Sequence, residues 1–452
     1  MHHRDFSGRR VSVLGAARSG RAAAVLLARA GAQVLLSELG PVDSACRTLC
    51  SSHGIAVEDQ GHSNRVLEVD LMVLSPGVPT SAAVVQAALK AGIPVYSELE
   101  VAAWFCDAPM VAITGTNGKT TTTALLGYIL KEAGRRVLVA GNIGTPLSAL
   151  VHQAGADSVV VLEVSSFQLD HTDTFRPRIS VLLNITPDHL DRYEGVFDRY
   201  VESKLRVFRN QTRGDVLVYN YDDTLVRNRV ESVNVTAGVE RIPYSTQSTL
   251  PEGAWLSEEG MLNVSGEPIL GAGELGIPGP HNVSNSLAAA MAARVLDIGS
   301  GPLREALREF TGVQHRLEYI RTLDGVRYIN DSKATNVNAL WFALESFDEP
   351  VVLLAGGRDK GNCYDTLTPL VRRKVKALIA FGESADTVMQ ALGPLVGRAE
   401  RAGTLEEATV RGRACAEAGD VVLLSPACAS FDLFDNFEAR GDAFRTIVEG
   451  LH

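Results

Sequence analysis

The residues best suited to chemistry in this chain form one glycine-rich loop, Gly115, Thr116, Asn117, Gly118, Lys119, Thr120 and Thr121. The loop follows an apolar run over residues 109–113 and precedes a helical pattern over residues 121–131. Its glycines let successive backbone amides point at an anion, Lys119 supplies a mobile positive charge, and the Thr120 hydroxyl can bind Mg²⁺. The sequence therefore predicts a cradle for a triphosphate.

This loop is a shortened variant of the phosphate-loop pattern G-x-x-x-x-G-K-[ST]. The leading glycine of that pattern would fall at position 113, which is isoleucine. The alternative interpretation is an ordinary Gly/Thr turn that opens a helix. We favour the cradle, because a buried strand directly before Gly-Lys-Thr is the context that the motif requires.

Acidic residues follow two predicted strands of the same segment. Glu163 ends a strand predicted over residues 158–162, and Asp188, His189 and Asp191 follow the next one. Carboxylate oxygens and a neutral imidazole suit Mg²⁺ or Mn²⁺. A lone histidine in a capped turn is more often structural, but its place beyond a strand end favours a metal site.

Lys204 occupies an unexpected position in a helix predicted over residues 196–208. Val201, Leu205 and Phe208 form its apolar face, and Lys204 lies on that face rather than on the solvated one. A buried lysine is neutralised, paired or modified, and a neutral amine can react with CO₂ to give a carbamate. From the pattern alone, a salt-bridged or snorkelling lysine is the favoured interpretation.

Residues 1–98 alternate β-rich and helical runs, which predicts βαβ units and a parallel sheet. The first turn opens a helix whose amides can hold a phosphate, and Glu38 ends the second strand, where it can bind a ribose or base. The dinucleotide fingerprint is not met at Ala17, so a nucleotide site and a plain tight turn both stay open. Ser75 follows another strand at this sheet end. It can contact a ligand or belong to a rigid loop. The residues of the first turn are Gly15, Ala16, Ala17, Arg18 and Ser19.

A third βα series begins near residue 313. Three predicted strands end in polar runs that share one rim, which marks a ligand crevice, although each run is also compatible with helix capping. The runs start at Asp331, Gly356 and Ser425. Before this series, Asn282 lies at the start of an Ala-rich helix. Its side chain can cap the helix or contact a nucleotide base.

Composition limits the class of protein. The 452 residues are 46% hydrophobic, 21% charged and 6% aromatic, which indicates a globular chain of several domains. A net charge of −10 disfavours nucleic acid as a partner and favours small anionic ligands. We find no apolar run long enough to span a membrane and no signal core, so we expect a cytoplasmic protein. The 6 cysteines are scattered and are expected to be reduced.

Eight segments together resemble the Mur ligase family, and within it the branch that adds D-glutamate to UDP-N-acetylmuramoyl-L-alanine. The resemblance spans the chain, and the diaminopimelate branch's Asp-Asn-Pro-Arg motif is absent. The segments are Gly115–Thr120, Glu163–Gln168, Asp188–Asp191, Lys204–Phe208, His281–Asn282, His315–Arg316, Asn330–Asn336 and Ser425–Ser430.

The resemblance implies an α/β fold of three domains. Residues 1–98 would form a Rossmann-like domain that binds the UDP substrate, and residues 99–312 a central mononucleotide-binding domain of the P-loop ATPase type. Residues 313–452 would form a Rossmann-like domain that binds the amino acid. It also implies an ATP-dependent amide ligase of peptidoglycan synthesis, expected as a monomer, that works through an acyl phosphate.

The resemblance also implies roles for single residues. Gly115, Thr116, Asn117, Gly118, Lys119, Thr120, Thr121, Asn282, Arg316 and Asp331 would bind ATP. Thr120, Glu163, His189 and carbamylated Lys204 would hold two Mg²⁺ ions, with Mn²⁺ as a substitute, and Lys119, Glu163, His189 and Lys204 would be catalytic. Gly15, Ala16, Ala17, Arg18, Ser19, Glu38, Ser75, Asn142, Ser165, Gln168 and His189 would face the nucleotide substrate. Thr335, Lys360, Ser430 and Phe437 would bind D-glutamate.

Other functions stay open at this stage. A neighbouring Mur ligase or a folylpolyglutamate-type ligase would share the first motifs. An NAD(P)-dependent oxidoreductase would use the first βαβ unit but leaves the phosphate loop unexplained. A nucleotide-dependent regulator would bind ATP without turning it over.

Overall fold

The structure is a computed structural model that describes residues 5–142, 144–188, 190–232, 238–359 and 361–452. The chain divides into two compact units. The first contains the chain up to Leu275 together with Ser284–Glu309, and the second contains Gly276–Val283 together with Phe310–His452.

The first unit begins with a parallel sheet of five strands in the order β3-β2-β1-β4-β5. Its central strands are aliphatic and buried, as expected for a sheet covered on both faces by helices. Strand order reverses beside β1, so the strand ends there form the crevice in which open α/β sheets bind ligands. The strands are Arg10–Leu14 (β1), Gln33–Ser37 (β2), Ala56–Glu58 (β3), Leu71–Leu74 (β4) and Val95–Ser97 (β5).

The same unit holds a nine-stranded sheet in the order β14-β13-β12-β11-β10-β9-β6-β8-β7. Its strands pair in parallel as far as β12, and β12, β13 and β14 pair antiparallel. The strands are Met110–Thr114 (β6), Arg136–Gly141 (β7), Ser158–Glu163 (β8), Ile179–Leu182 (β9), Val216–Asn220 (β10), Glu240–Ser245 (β11), Ala254–Leu256 (β12), Met261–Val264 (β13) and Glu267–Gly271 (β14). Because β6, β8 and β9 are neighbours, the loops that follow them share one sheet edge.

The second unit is built on a six-stranded sheet in the order β15-β16-β20-β17-β18-β19, in which only the edge strand β15 is antiparallel. Strands β16, β20 and β17 are adjacent and parallel, which confirms that the three predicted strand ends share one rim. The strands are Glu318–Leu323 (β15), Val326–Asn330 (β16), Val351–Gly356 (β17), Val375–Phe381 (β18), Arg398–Ala402 (β19) and Val421–Leu424 (β20).

Several of the α-helices that pack against these sheets are amphipathic. In chain order they are Arg18–Arg29 (α1), Ser44–Ser52 (α2), Ala83–Lys90 (α3), Glu98–Trp104 (α4), Lys119–Glu132 (α5), Leu147–Leu150 (α6), Ser166–Leu169 (α7), Phe197–Leu205 (α8), Thr224–Ser232 (α9), Pro280–Val295 (α10), Ser300–Glu309 (α11), Val337–Glu345 (α12), Thr368–Lys374 (α13), Ala385–Leu392 (α14), Leu405–Cys415 (α15) and Phe437–Glu449 (α16). Among the described residues, none of the helices has the length and apolarity needed to cross a membrane.

The mixed α/β class predicted from the sequence is confirmed. The helix expected over residues 121–131 is Lys119–Glu132, and the strand expected over residues 158–162 is Ser158–Glu163. The helix expected over residues 196–208 is shorter, because after Leu205 the chain tightens into a 3₁₀ turn, Arg206–Phe208.

Candidate functional site

The predicted phosphate loop connects β6 to α5, and Asn184 from the loop after β9 holds it in place. The Thr116 amide donates to the Asn184 backbone carbonyl at 2.8 Å. The Asn117 amide donates to the Asn184 side-chain oxygen at 2.8 Å, and the Asn184 side-chain nitrogen donates to the Asn117 carbonyl at 3.1 Å. These three bonds fix the loop against the neighbouring strand end.

Both glycines of the loop lie where a side chain would collide. A Cβ on Gly115 would lie 2.9 Å from the Leu183 Cβ. Gly118 has φ +84°, in the left-handed region that favours glycine, and a Cβ there would lie 2.3 Å from the Asn285 side-chain oxygen. The backbone can therefore turn tightly at the start of α5, as the motif requires.

Two lysines converge on one oxygen of this loop. The Lys119 Nζ donates to the Gly115 carbonyl at 2.9 Å and to the Thr116 carbonyl at 2.8 Å. The Lys204 Nζ donates to the same Gly115 carbonyl at 2.7 Å. Both amines therefore lie at the anion cradle, one from α5 and one from α8.

Lys204 faces inward, as its helical pattern predicts, and only 1% of it is exposed. Its Nζ lies 4.5 Å from the centre of the Tyr200 ring. Burial lowers the pKa of Lys204 well below its usual value, and the nearby charge of Lys119 lowers it further, against the opposite influence of Asp188, Asp170 and Glu163. Snorkelling, one of the two interpretations that the pattern alone favoured, is wrong, because the amine does not reach solvent. The environment favours a neutral amine.

Glu163 lies at the end of β8 and contacts two other predicted site residues. The Thr120 hydroxyl donates to one carboxylate oxygen at 2.7 Å, and the Asn142 side-chain nitrogen donates to the other at 2.8 Å. The carboxylate is buried, with 2% of the residue exposed. The loops after β7 and β8 and the start of α5 thus meet at this side chain.

These donors fit a magnesium ion bound together with a triphosphate. The described residues contain no group of three or more His, Cys, Asp or Glu side chains arranged to hold a metal. Mg²⁺ usually takes one or two carboxylates from the protein and completes its octahedron with water and phosphate oxygens. The hydroxyl of Thr120 and the carboxylate of Glu163 supply that hard-oxygen set.

Some of the predicted site residues form hydrogen bonds with each other in the structure, and two lie outside the described residues. Ser165 and Gln168 form a capping box at the start of α7, in which the Ser165 hydroxyl and amide each donate to the Gln168 side-chain oxygen at 3.0 Å. The Gln168 side-chain nitrogen is buried and has no hydrogen-bond partner among the described residues. His189 and Lys360 lie outside the described residues.

The loop after β1 has the tight geometry that its glycines suggest. Gly15 has φ +91°, and a Cβ on it would lie 2.8 Å from the Ser75 Cβ, so these two predicted contacts are neighbours. A Cβ on Gly20 would lie 1.8 Å from the Gly15 carbonyl oxygen, so only glycine fits there. The Glu38 carboxylate accepts from the Ala16 amide at 2.6 Å and the Leu39 amide at 2.9 Å.

Helix α1 starts directly after this loop. Its N-cap residue, Ala17, provides no side-chain cap for the first-turn amides, which begin at Arg18 and Ser19. Such amides, aligned with the positive end of the helix dipole, suit an anionic group. The observed geometry fits both interpretations of this turn, a nucleotide site and a plain tight turn.

In the second unit, Asp331 is fully buried after β16. It accepts from the Ser425 hydroxyl at 2.9 Å and from the Leu317 amide at 3.2 Å, and it lies 3.8 Å from Arg316. Burial raises the pKa of Asp331 to about 6, although Arg316 opposes the rise. This carboxyl therefore keeps its proton to a higher pH than an exposed aspartate does.

Asn282 and its neighbour His281 belong to the same unit. The Asn282 side-chain nitrogen donates to the Pro278 carbonyl at 2.7 Å at the start of α10. Burial, with a contribution from the charge of Arg316, lowers the pKa of His281 to about 4, so this imidazole is neutral. Asn282 thus has a structural bond whether or not it also contacts a ligand.

The described residues of the predicted D-glutamate set lie on the loops after β16 and β20 and at the start of α16. Thr335 is half-buried, Ser430 is buried with 2% exposed, and Phe437 is the first residue of α16. The Phe437 ring lies 6.5 Å from that of His315, measured between centroids. The Lys333 Nζ lies 5.3 Å from the Phe437 ring centre.

The sequence interpretation missed Arg440, which joins two of these loops. Its guanidinium donates to the Ser332 carbonyl at 2.7 Å, the Ser332 hydroxyl at 2.9 Å and the Cys428 carbonyl at 3.1 Å. Only 1% of Arg440 is exposed. Its sequence signal is its place on the inner face of an amphipathic helix, which indicates burial but not the two loops that it joins.

Family models match three successive segments of the chain. The MurD N-terminal domain matches residues 10–84, the Mur ligase middle domain matches residues 113–293, and the Mur ligase glutamate ligase domain matches residues 315–428. The matches follow the order of the three sheets.

Curated relatives match over the whole length. A UDP-N-acetylmuramoylalanine--D-glutamate ligase of Salinibacter ruber is 52% identical over 451 residues, which cover 98% of each chain. A ligase of the same name from Pelotomaculum thermopropionicum is 46% identical and covers 99% of each chain. Among solved structures, UDP-N-acetylmuramate-alanine ligase MurC of Thermotoga maritima has a TM-score of 0.62 at 20% identity, covering 98% of this chain and 99% of that one. At this identity the likeness to MurC concerns the fold alone.

Proposed function

This chain belongs to the Mur ligase family, and on that premise we propose that it joins D-glutamate to UDP-N-acetylmuramoyl-L-alanine with consumption of ATP. The observation that carries the proposal is the similarity, over nearly the whole of both chains, to ligases named for this reaction. The site chemistry agrees with it, because a phosphate cradle, a hard-oxygen donor pair and a buried amine lie together.

ATP binds, in this proposal, to the loop before α5. The first-turn amides and Lys119 oppose the charge of the phosphates, and Lys119 exchanges its bonds to the Gly115 and Thr116 carbonyls for phosphate oxygens. Asn282, Arg316 and Asp331 are the further ATP contacts that we propose.

Thr120 and Glu163 would hold one Mg²⁺, and Glu163, His189 and carbamylated Lys204 would hold or orient a second, with Mn²⁺ as a substitute. The bound ions supply positive charge that neutralises phosphate oxygens during transfer. Asn142 holds the second oxygen of Glu163, which fixes the orientation of that carboxylate.

The carbamate at Lys204 follows from the environment of its amine. A neutral amine attacks CO₂, a C–N bond forms, and one proton leaves to give a carbamate anion. The lowered pKa of Lys204 supplies the neutral amine at lower pH than an exposed lysine would. The product is a carboxylate in a place where the sequence provides only a lysine.

We propose the following substrate contacts from the strand-end positions of their residues. Gly15, Ala16, Ala17, Arg18, Ser19, Glu38 and Ser75 would bind the uridine diphosphate, and Asn142, Ser165, Gln168 and His189 the muramoyl-alanine end. Thr335, Lys360, Ser430 and Phe437 would bind D-glutamate. The side-chain nitrogen of Gln168 is buried and has no hydrogen-bond partner among the residues that the structure describes, which supports the place of Gln168 in this set.

The reaction proceeds in two steps. The alanyl carboxylate attacks the γ-phosphorus of ATP, a P–O bond forms to the carboxylate, and ADP leaves with the electrons of the broken bond. The amine of D-glutamate then attacks the acyl carbon, the amide forms, and phosphate leaves as the amine loses its proton. Lys119 opposes the charge that accumulates in the first step.

The cellular setting follows from the product, a precursor of peptidoglycan. We propose that the chain works in the cytoplasm as a monomer, serves cell wall synthesis, and thereby supports cell division and cell shape. We retain the division into domains 1–98, 99–312 and 313–452 as part of the proposal.

The test supplies UDP-N-acetylmuramoyl-L-alanine, ATP and Mg²⁺ together with one amino acid and measures phosphate release. D-Glutamate should support release, whereas L-alanine, L-lysine and diaminopimelate should not, and a Lys119→Ala variant should be inactive with all four. Release with another amino acid would assign a different ligase. ATP binding without ADP formation would indicate a regulator, and an absorbance change at 340 nm with NAD(P)H would indicate an oxidoreductase.

A further inference from the structure

A large groove runs along α1 on the side of the helix that faces away from the first sheet. Its volume is about 1040 Å³, at the upper end of what small-molecule sites occupy. Helix α1 buries Gly20, Ala23, Ala24 and Leu27 towards the core, and the groove is lined by its other face. No residue of the groove except Arg18 belongs to the site proposed above.

The floor and far wall of the groove are apolar. Ala22, Val25 and Leu26 of α1 are only half-buried and line it. Pro146 and Ala149, at the start of and within α6, line the opposite side, and Phe105 contributes an aromatic surface. When an apolar group covers a half-buried apolar strip of this kind, the free energy of the system falls, because apolar surface is removed from water.

The rim of the groove is positively charged. Arg18, Arg21 and Arg29 follow one another along α1, and His152 lies across the groove. Among the described lining residues there is no Asp or Glu. The whole chain has a net charge of −10, whereas the described lining of this groove contains three arginines and no carboxylate. The groove is therefore locally positive on a negatively charged protein.

The arginines differ in how far their charge is already paired. Arg21 forms a salt bridge to Asp43, and Arg18 donates to the Gly144 carbonyl at 3.2 Å. Arg29 is exposed, contacts His53 at 3.4 Å and has no carboxylate partner among the described residues. Arg29 is therefore the cation best able to meet a ligand's negative charge.

We propose that this groove is a binding site for a small amphiphilic anion, a phosphate or carboxylate head joined to an apolar chain. The head would be held at the arginine rim by Arg29, and the chain would cover the strip formed by Ala22, Val25 and Leu26. The site does not depend on the proposed ligase activity, because Arg29 and the strip lie on the outer face of α1, and among the described lining residues only Arg18 is shared with the substrate contacts proposed above.

The test is calorimetric titration of the full chain with monomeric dodecyl phosphate and, separately, with laurate. The protein should bind at least one of them with a 1:1 stoichiometry, and the tighter of the two identifies the head group. Arg29→Glu should weaken binding at least about tenfold, the usual worth of one charge-assisted contact. Val25→Gln should weaken it severalfold by making the floor polar.

Lys90→Glu is the matched control, because Lys90 is also an exposed cation in the last turn of a helix but lies outside the groove. It should bind like the unaltered chain, and circular dichroism should show all three variants folded. Equal affinity in Arg29→Glu would overturn the site. Binding of inorganic phosphate as tight as that of dodecyl phosphate, or binding only to anionic phospholipid vesicles, would also overturn it.

Discussion

The side chains of Lys119 and Lys204 donate hydrogen bonds to the same oxygen, the carbonyl of Gly115. One lysine is the first residue of α5 and the other lies in the last turn of α8, so elements far apart in sequence place two amines at one turn of backbone. Two cations so close repel each other, and the buried one gives up its proton more easily. This pairing links the phosphate cradle to the residue that we propose is carbamylated.

Lys204→Ala should lower turnover by about 100-fold or more, because it removes both the buried amine and the carbamate formed from it. Added bicarbonate should not restore activity. Lys131→Ala is the control, since Lys131 is an exposed lysine in the last turn of α5. Steady-state phosphate release checks the prediction, and near-normal turnover of Lys204→Ala would remove the carbamate from the mechanism.

Glu163→Gln should keep the hydrogen bond from Thr120 but lose the negative charge that binds Mg²⁺. We expect turnover to fall by about 100-fold and the Mg²⁺ concentration for half-maximal rate to rise. Glu132→Gln alters an exposed glutamate at the end of α5 and should change neither quantity. A magnesium titration of each variant measures both, and an unchanged Mg²⁺ requirement in Glu163→Gln would contradict the metal role.

Gly141→Ala should damage both stability and activity. Gly141 has φ +109°, and a Cβ there would lie 2.2 Å from the backbone oxygen of Glu163, which must then move. Gly134→Ala is the matched control, because Gly134 also has a positive φ, +73°, but has no atom within 4 Å of the added carbon.

Both variants carry the backbone strain of about 1 kcal/mol, and the collision should add roughly 1–3 kcal/mol in Gly141→Ala alone. Urea unfolding measures the difference between them, and phosphate release should fall only in Gly141→Ala. Equal stability of the two variants would show that the strand end tolerates the shift.

Asp331→Asn should change how stability depends on pH. Because the pKa of Asp331 is raised to about 6 from 3.8, the folded chain keeps this proton in a range where the unfolded chain loses it. The stability that the protonated carboxyl contributes is complete below pH 3.8 and is lost as the pH rises through about 6.

The difference between those two pKa values corresponds to roughly 3 kcal/mol. Asp331→Asn does not ionise, so its stability relative to the unaltered chain should rise between pH 4 and pH 8 by up to about that amount. Asp435→Asn, at an exposed position, should show no such rise. Urea unfolding across this pH range gives the result, and parallel curves for Asp331→Asn and the unaltered chain would contradict it.

Local sequence patterns were sufficient to predict the position of a residue when its own helix or strand determines whether it is buried. The inward position of Lys204 followed from apolar residues at helical spacing, and the place of Glu163 followed from the end of a buried run. Both positions are confirmed by burial and contacts. Periodicity predicts which face of an element is buried, so it also predicts which polar residue is trapped there.

Contacts between distant segments could not be predicted in this way. Nothing near Asn184 in the sequence indicates that it holds the phosphate loop, and nothing near Arg440 indicates that it joins the loops after β16 and β20. The short strands β12 to β14 were also missed, because their residues alternate weakly and are interrupted by glycine and proline. Such features depend on strand order, which single-sequence patterns do not contain.

The central claim is that the alanyl carboxylate is activated by phosphorylation. The most direct test uses UDP-N-acetylmuramoyl-L-alanine labelled with ¹⁸O in its carboxylate, with ATP, Mg²⁺ and D-glutamate, and mass analysis of the released phosphate. An acyl phosphate predicts one ¹⁸O atom in the phosphate for each amide formed, since that oxygen leaves with phosphorus. Amide formation with unlabelled phosphate would contradict the account.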